Sequence, residues 1–403
     1  MWVDRPGARG LEASPDLLDL LALLDGRRDA RDLAHALRAR GRWPQASPAL
    51  ALRLVEEALG RLADAGLLAK AERDVETPDE SADGGGGGEG GYAHPAVHRL
   101  MLQDGPRTAA FARALAAVVR PGDAVLDLGT GSGALAVFAA RAGAGRVYAV
   151  ERTQAARLAR EVVARNGVDH VVAVHEGDVR DVALPSRVDV LVSEWLGHFA
   201  LHEGLWPVVV HARDAWLRMG GTLVPGRVRL LVAPFEDPLL RARGPAWWDG
   251  RPWGLDLGAL GAAERARPLA LVERIEPGAL RAAPAVVHTI DCARADASAQ
   301  TFEAEVSFTV EREALLDGVA GWFEADLAPG VTLDTGPAAP ATHWRQLLLQ
   351  VDPVPVARGD VVVVRLAAGE PGSWGLPSYA LELQVAGKPA CAPWARTAGF
   401  AAG

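Results

Sequence analysis

The sequence predicts an α/β protein with three parts: a small N-terminal domain, a central parallel sheet covered by helices, and a C-terminal antiparallel β-barrel. Three observations support this prediction. Apolar strands alternate with helices over residues 92–224, short alternating runs replace them over residues 225–403, and a glycine-rich stretch precedes both. A chain of 403 residues has room for two or three domains of ordinary size.

The sequence of the first part, residues 1–75, predicts three short helices. Apolar residues recur at helical spacing in three groups: Leu17, Leu20, Leu21 and Leu24; Leu33, Ala34 and Leu37; Leu50, Leu54, Val55, Ala58, Leu59 and Leu62. A turn at Ala65-Gly66 then leads to the apolar pair Leu67-Leu68. This α+β pattern resembles a winged helix, in particular the small peptide-recognition domains of enzymes that modify ribosomal peptides.

The charge of this first domain bears on its partner. Winged helices commonly bind DNA, but residues 1–75 contain 12 basic and 12 acidic residues. A neutral surface gains little affinity from the release of counterions, which disfavours DNA. Docking of a leader peptide and a purely structural role both stay open.

Residues 76–91 form the clearest linker, because Gly84 to Gly88 and Gly90-Gly91 lie among acidic residues. A flexible coil of this length spans about 20–25 Å. The first domain is therefore expected to be loosely tethered.

Residues 92–224 read as a Rossmann-like domain, in which buried strands alternate with helices. The predicted strands are 124–128, 147–150, 171–174 and 188–192, and the predicted helices include 134–141 and 154–166. The later runs at 228–232, 302–310, 361–366 and 381–385 alternate in hydrophobicity and predict the antiparallel barrel.

A glycine motif follows the first of these strands. Gly129, Gly131 and Gly133 stand at every second position, where a cofactor approaches the main chain too closely for a Cβ atom. The GxGxG spacing after Asp127 favours S-adenosylmethionine over a dinucleotide. Glu151, at the end of the next strand, is predicted to accept hydrogen bonds from the ribose hydroxyls.

Asp178 and Val179 follow the third strand and are predicted to contact the adenine ring. The Asp178 carboxylate would accept a hydrogen bond from the adenine amino group. A helix cap is the alternative interpretation of Asp178.

Glu194 and Glu203 stand nine residues apart on the segment after the fourth strand, and Gly197 permits a hairpin between them. Ligands bind at the carboxyl ends of strands in such sheets. Two carboxylates that face one pocket suit a guanidinium group, whose planar fork of donors pairs with carboxylates. A surface pair of acids is the alternative.

These residues resemble the protein arginine methyltransferases. Glu194 and Glu203 match that family's double-glutamate loop, and Thr342-His343-Trp344 matches its threonine-histidine-tryptophan loop. The helix before the glycine motif matches at Tyr92 to His94, His98, Met101-Leu102 and Asp104 to Thr108, and further matches are Trp247-Trp248 to Asp256 and Gly321-Trp322-Phe323. The resemblance covers about residues 92–388.

The resemblance implies roles for individual residues. Glu194 and Glu203 hold the guanidinium group of the substrate, and Arg107 contacts the carboxylate of the cofactor. His343 either orients Glu203 or helps to remove a proton, or else is a structural hydrogen-bonded group. His198, His202 and Trp344 are the predicted substrate contacts, and an arm near residues 236–262 forms a homodimer.

Two departures from the family pattern are visible. Gly88-Glu89 stands where the family has a Tyr-Phe lid, and His198 and His202 replace aromatic residues. They motivate two further hypotheses: a methyltransferase that acts on histidine or another side chain, and a cofactor-binding scaffold without activity. The leading hypothesis is an arginine N-methyltransferase of a peptide or protein, including a ribosomal-peptide precursor.

Composition excludes several classes. Cys292 and Cys391 lie far apart without the spacing of metal ligands, so neither a metal site nor a disulfide scaffold is expected. The net charge of −9 disfavours nucleic acid and suits a basic partner. Because the sequence lacks a signal peptide and an apolar run of membrane-spanning length, we expect a cytoplasmic protein that does not bind membranes.

Overall fold

The computed structural model of the protein describes residues 93–265, 270–371 and 377–386, and four short stretches at 33–34, 37–38, 54–55 and 58–59. The chain divides into two compact units, residues 1–79 and 80–403.

The described residues of the first unit are helical. Leu33, Ala34, Leu37 and Val55 are buried. They belong to the second and third predicted helices. The remaining parts of the predicted winged-helix-like domain and the linker 76–91 lie outside the described residues, so that domain stays a prediction.

The described part of the second unit begins with two helices, and the predicted parallel sheet follows. The sheet has five strands, one more than the four predicted, because Leu217–Val224 also pairs with it. The helices are α1 (Pro95–Gln103), α2 (Gly105–Val118), α3 (Ala134–Arg141), α4 (Ala155–Arg165) and α5 (Trp206–Trp216). The strands are β1 (Ala124–Leu128), β2 (Arg146–Glu151), β3 (Val172–Glu176), β4 (Val188–Val192) and β5 (Leu217–Val224), and their order in the sheet is β3-β2-β1-β4-β5.

The order of this sheet positions the functional site. The chain runs outward from β1 through β2 to β3 and then returns to place β4 on the other side of β1. Such a reversal opens a crevice at the carboxyl ends of the two central strands. The segments that follow β1 and β4 therefore lie side by side, and these are the two segments that carry the predicted cofactor and guanidinium residues.

The described strands after Val224 pair antiparallel, which confirms the predicted change of architecture. These strands are β6 (Arg227–Phe235), β7 (Ala270–Glu273), β8 (Ala285–Asp291), β9 (Phe302–Thr309), β10 (Ala314–Ala328), β11 (Val331–Asp334), β12 (Gln346–Val356), β13 (Val361–Pro371) and β14 (Pro377–Val385). One sheet has the order β7-β12-β10-β6-β8, with β11 paired to β10, and a second has the order β14-β13-β9.

One apolar core joins the parallel sheet to both antiparallel sheets. Leu126 and Val190 of the parallel sheet, Phe323 of β10 and Leu381 of β14 belong to the same cluster of buried side chains. The parallel sheet and the antiparallel sheets are therefore packed as one body, and residues far apart in sequence can meet at the crevice.

The predicted arm leaves the antiparallel domain after β6. It contains α6 (Pro238–Arg243), two short 3-10 turns and α7 (Gly258–Arg265). Arg241 anchors its first helix, because the guanidinium group binds Asp317 through two donors, at 2.5 and 2.9 Å. Leu239 and Trp253 remain 72% and 83% exposed. The first helix of the arm is thus held by an ion pair, while the apolar side chains of Leu239 and Trp253 face solvent.

Candidate active site

The glycine motif forms a tight turn directly after β1. Gly129, Gly131 and Gly133 all have positive φ angles, of 71°, 52° and 81°. A Cβ atom added at Gly131 would lie 2.9 Å from Cε1 of His98, which is buried on α1. The positive φ angles, and at Gly131 the contact with His98, require glycine, so the turn presents bare main chain. Sequence reasoning placed His98 in a matching helix but gave it no role in the site.

Glu151 ties the glycine turn to the end of β2. One carboxylate oxygen accepts from the backbone N–H of Gly131 at 2.9 Å, and the other accepts from Thr153 at 2.8 Å. Each ionised carboxylate oxygen has two lone pairs, so one on each oxygen stays available for a ribose hydroxyl. The predicted role of Glu151 fits this arrangement.

Asp127 lies beneath the turn rather than on its surface. Its side chain is fully buried, and the hydroxyl of Thr130 donates to Oδ2 at 2.5 Å. Burial raises the pKa of Asp127 to about 7, against the opposing effect of the Thr130 hydrogen bond. The residue shapes the turn through Thr130.

Asp178 is held by the side chain of Arg180. Its Oδ1 accepts from the backbone N–H and Nε of Arg180, and its Oδ2 accepts from Nη2 at 2.6 Å. The hydrogen bond from Arg180 lowers the pKa of Asp178 to about 2. One lone pair of Oδ2 remains for a donor such as the adenine amino group. Val179 is buried beside it.

The segment after β4 folds into the predicted hairpin. Gly197 pairs with Ala200, and the N–H of Gly197 donates to the carbonyl of Ala200 at 3.1 Å. A Cβ atom at Gly197 would lie 2.8 Å from the backbone of His202. Phe199 and Ala200 at the tip have φ angles of 48° and 58°, which non-glycine residues rarely adopt. We call residues 194–203 the double-glutamate loop.

Glu194, at the start of this loop, binds the guanidinium group of Arg107. Its Oε2 accepts from Nε at 3.1 Å and from Nη2 at 2.5 Å, and its Oε1 accepts from the N–H of Leu196 at 3.0 Å. Both side chains are 10% exposed. Glu194 is therefore held by Arg107, the residue that is predicted to contact the carboxylate of the cofactor.

His343 is bound to Asp104, which caps α2. The Asp104 carboxylate accepts from the N–H of Arg107 and from both the N–H and Nδ1 of His343, the last at 2.7 Å. Burial disfavours the charged form of Asp104, but these hydrogen bonds outweigh it and lower the pKa of the carboxyl group. The described hydrogen bonds of His343 thus go to Asp104. Sequence reasoning gave Asp104 no such role.

Trp344 fastens the threonine-histidine-tryptophan loop to the double-glutamate loop. Its indole N–H donates to the carbonyl of Leu196 at 2.5 Å, and its own carbonyl lies 2.8 Å from Nδ1 of His198. Trp344 is buried. Trp344 and His198 therefore hold the two loops together in this structure.

His202, near the end of the double-glutamate loop, is buried against the antiparallel domain. Its ring centroid lies 5.6 Å from that of Tyr379 on β14. Burial, together with the nearby His198, lowers the pKa of His202 to about 3, so its ring is neutral at physiological pH. The side chain therefore packs the end of the loop against Tyr379 on β14, a contact that the sequence did not indicate.

The order of the parallel sheet, the bare glycine turn after β1 and the acid at the end of β2 define an S-adenosylmethionine-dependent methyltransferase. Two family models agree. The arginine methyltransferase oligomerization subdomain matches residues 227–372, and the model of the ribosomal protein L11 methyltransferase matches residues 105–212.

Known proteins resemble the chain over most of their own length. Protein arginine N-methyltransferase 6 of Xenopus laevis is 33% identical over 279 residues, which cover 65% of this chain and 79% of the relative. The structure of Arabidopsis thaliana protein arginine methyltransferase 10 is 31% identical, with a TM-score of 0.66, and covers 74% of this chain and 96% of that one.

A third comparison extends the likeness to a complex with a product of the cofactor. The Trypanosoma brucei PRMT1 enzyme-prozyme heterotetramer with S-adenosylhomocysteine is 27% identical, with a TM-score of 0.68, and covers 76% of this chain and 98% of that one. The chain belongs to the protein arginine methyltransferase family.

Proposed function

We propose that the protein transfers the methyl group of S-adenosylmethionine to a guanidino nitrogen of arginine in a peptide or protein. The observation that carries this proposal is the contact between Glu194 and Arg107. A carboxylate at the predicted acceptor position binds a guanidinium group through two donors.

The residues of the cofactor site have complementary roles. S-adenosylmethionine supplies an electrophilic methyl group on a sulfonium centre. Gly131 gives access to the main chain, Glu151 holds the ribose, and Asp178 accepts from the adenine amino group. Arg107, which orients Glu194, is also the residue that would pair with the carboxylate of the cofactor.

The acceptor is held by charge. Glu194 keeps one free lone pair on Oε1 for a substrate donor, and Glu203 supplies the second carboxylate from the far end of the loop. Pairing with both acids fixes the guanidinium plane and places electron density on one terminal nitrogen. With the donor bound, that nitrogen would take the methyl group as the carbon–sulfur bond of the sulfonium breaks and S-adenosylhomocysteine leaves. The part of Glu194 and Glu203 is mainly orientation and electrostatic preorganisation.

Methylation also requires the guanidinium group to lose one proton. Glu203 and His343 are the two candidate acceptors for this proton. The Asp104 carboxylate binds Nδ1 of His343 and so fixes the orientation of the imidazole ring.

A direct assay tests the reaction and the acceptor. Purified protein is incubated with S-adenosylmethionine and arginine-containing peptides, and the products are sequenced by mass spectrometry. We expect added methyl groups on arginine, and turnover that falls at least about a hundredfold in Glu194→Gln and Glu203→Gln. Methylation found only on histidine would overturn the arginine assignment, and unchanged turnover in both variants would refute the role of the acids.

The substrate class extends to a precursor peptide whose leader docks on residues 1–75. The neutral charge of this segment and the glycine-rich linker support docking of a peptide. Deletion of residues 1–75 should raise KM for a leader-bearing peptide and leave KM for a short arginine peptide unchanged. Equal KM values for the leader-bearing peptide with and without this segment would reject the docking.

The arm supports a homodimer. Its exposed Leu239, Trp253 and Leu255 form an apolar surface, and the matching family model is an oligomerization subdomain. Light scattering should give twice the mass of the chain for the wild type and the mass of one chain for Trp253→Ser with Leu239→Ser. A wild-type monomer at micromolar concentration would contradict the proposal.

A further inference from the structure

The tip of the double-glutamate loop has a strained backbone that its surroundings must hold. Phe199 and Ala200 are consecutive non-glycine residues with positive φ angles, yet both are almost fully buried. Such conformations persist where neighbouring structure determines them. The groups that hold Phe199 therefore also set the path of the chain between Glu194 and Glu203.

Two residues of the antiparallel domain contact the Phe199 ring. On β10, a Cβ atom added at Gly321 would lie 2.8 Å from Cε2 of Phe199, so the ring occupies the space that a side chain would fill. On β14, the centroid of the Tyr379 ring lies 5.8 Å from that of Phe199. We call Gly321 and Tyr379 the Phe199 seat.

Tyr379 of the Phe199 seat also contacts the end of the loop that carries Glu203. Tyr379 packs on His202, the residue directly before Glu203, at a centroid separation of 5.6 Å. Its ring thus touches both the tip and the residue that precedes the second acid. A displacement of the seat is therefore transmitted to Glu203 through two contacts.

We propose that Gly321 and Tyr379 are positioning residues for methyl transfer, which act by fixing the double-glutamate loop through Phe199 and His202. The inference rests on the proposed transfer to arginine. It assigns the antiparallel domain a part in catalysis that is separate from oligomerisation. The glycine turn belongs to the parallel sheet, so the seat governs the acceptor side of the reaction.

Gly321→Ala tests the steric contact, because Gly321 has no positive φ angle and the three atoms nearest to the new methyl group all belong to the Phe199 ring. Displacement of a catalytic group by about 1 Å reduces rates by up to about a hundredfold. We expect kcat on an arginine peptide to fall at least about tenfold, with the Kd of S-adenosylhomocysteine unchanged within about threefold.

The double variant Gly321→Ala with Phe199→Leu provides the rescue. The smaller, flexible side chain makes room for the added methyl group, so kcat should recover at least about threefold over Gly321→Ala. A double variant no faster than Gly321→Ala would overturn the proposal. So would a folded Gly321→Ala protein with the wild-type kcat.

Two further comparisons distinguish a positioning role in catalysis from a general loss of folding stability. Val163→Ala removes buried methyl groups from α4, which packs on the parallel sheet and not on β10 or β14, and should lower Tm. An equal loss of kcat in Val163→Ala at 15 °C below its own Tm would refute the proposal. If Gly321→Ala does not fold, Tyr379→Leu should lose kcat while Tyr379→Phe, which keeps the ring, retains it; equal kcat values in these two variants would also refute it.

The failure of the seat and the failure of the proposed function are distinguishable. A wild-type protein that methylates no arginine removes the function. A wild-type protein that methylates arginine, together with a fully active folded Gly321→Ala variant, removes only the seat.

Discussion

Arg107 and Glu194 form a nearly buried ion pair that joins the start of α2 to the loop after β4, with Nη2 and Oε2 2.5 Å apart. Arg107 uses two donors on one carboxylate oxygen and a third on the carbonyl of Met101. One guanidinium group therefore fixes the carboxylate on which the acceptor depends.

Arg107→Lys should weaken both the fold and the cofactor site, because an ammonium group cannot reproduce the planar fork of donors. We expect a loss of about 1–3 kcal/mol in the free energy of unfolding and a higher Kd for S-adenosylhomocysteine in calorimetry. Arg160→Lys is the matched control, since its pair with Glu176 is 45% and 47% exposed. The control should change stability by less than about 1 kcal/mol. Equal losses in the free energy of unfolding for Arg107→Lys and Arg160→Lys would contradict the structural role of Arg107.

Trp344→Phe should loosen the contact between the two loops. The variant keeps the aromatic ring but leaves the buried carbonyl of Leu196 without its donor, at a cost of about 1–3 kcal/mol. Tm and kcat should both fall. Trp216→Phe is the control, because the indole nitrogen of Trp216 is buried without a hydrogen-bond partner among the described residues. A drop in Tm that is as large in Trp216→Phe would contradict the prediction.

Asp127→Asn should remove a pH dependence of stability. The pKa of Asp127 is raised by burial from 3.8 to about 7, so the folded state binds this proton more tightly than the unfolded chain. The resulting stability is complete below about pH 4 and is lost as the pH rises through about 7. The Tm of Asp127→Asn should therefore gain on that of the wild type between pH 5 and pH 8. Asp181→Asn, at an exposed position, serves as the control; a difference in Tm between Asp127→Asn and wild type that stays constant with pH would exclude the titration.

Asp178→Ala should weaken the binding of a ligand with an adenine amino group by about five- to tenfold, the value of one hydrogen bond. S-inosylhomocysteine lacks this amino group, so its Kd should be the same in the variant and the wild type. Calorimetry with both ligands measures the two effects side by side. Equal weakening of both ligands would indicate that Asp178 only shapes the turn with Arg180.

The sequence predicted the parallel sheet well because its strands are continuous apolar runs. β1, β4 and α3 have the expected bounds residue for residue. β10 escaped prediction because Asp317, Glu324 and Asp326 interrupt its apolar character. Their partners, Arg241 and Arg229, lie on distant segments, so the pairing that permits these charges is invisible in the sequence.

The site was predictable where a residue contributes main chain or charge at the end of a strand. The glycine turn, Glu151 and the hairpin at Gly197 are examples. The burial of His202 was not predictable, because it depends on Tyr379, which lies more than 170 residues away. The role of Asp104 also could not be predicted, because it depends on the contact with His343, which lies in the antiparallel domain.

The threonine-histidine-tryptophan loop and the Phe199 seat both belong to the part of the chain after Val224, whereas every predicted contact of the cofactor precedes that residue. A protein that ended at Val224 would retain the residues predicted to bind the methyl donor, and it would lose both the supports that aim its acids and part of the shared apolar core. The residues for the donor and the supports for the acceptor are thus encoded in different lengths of chain, yet neither length has a complete core of its own.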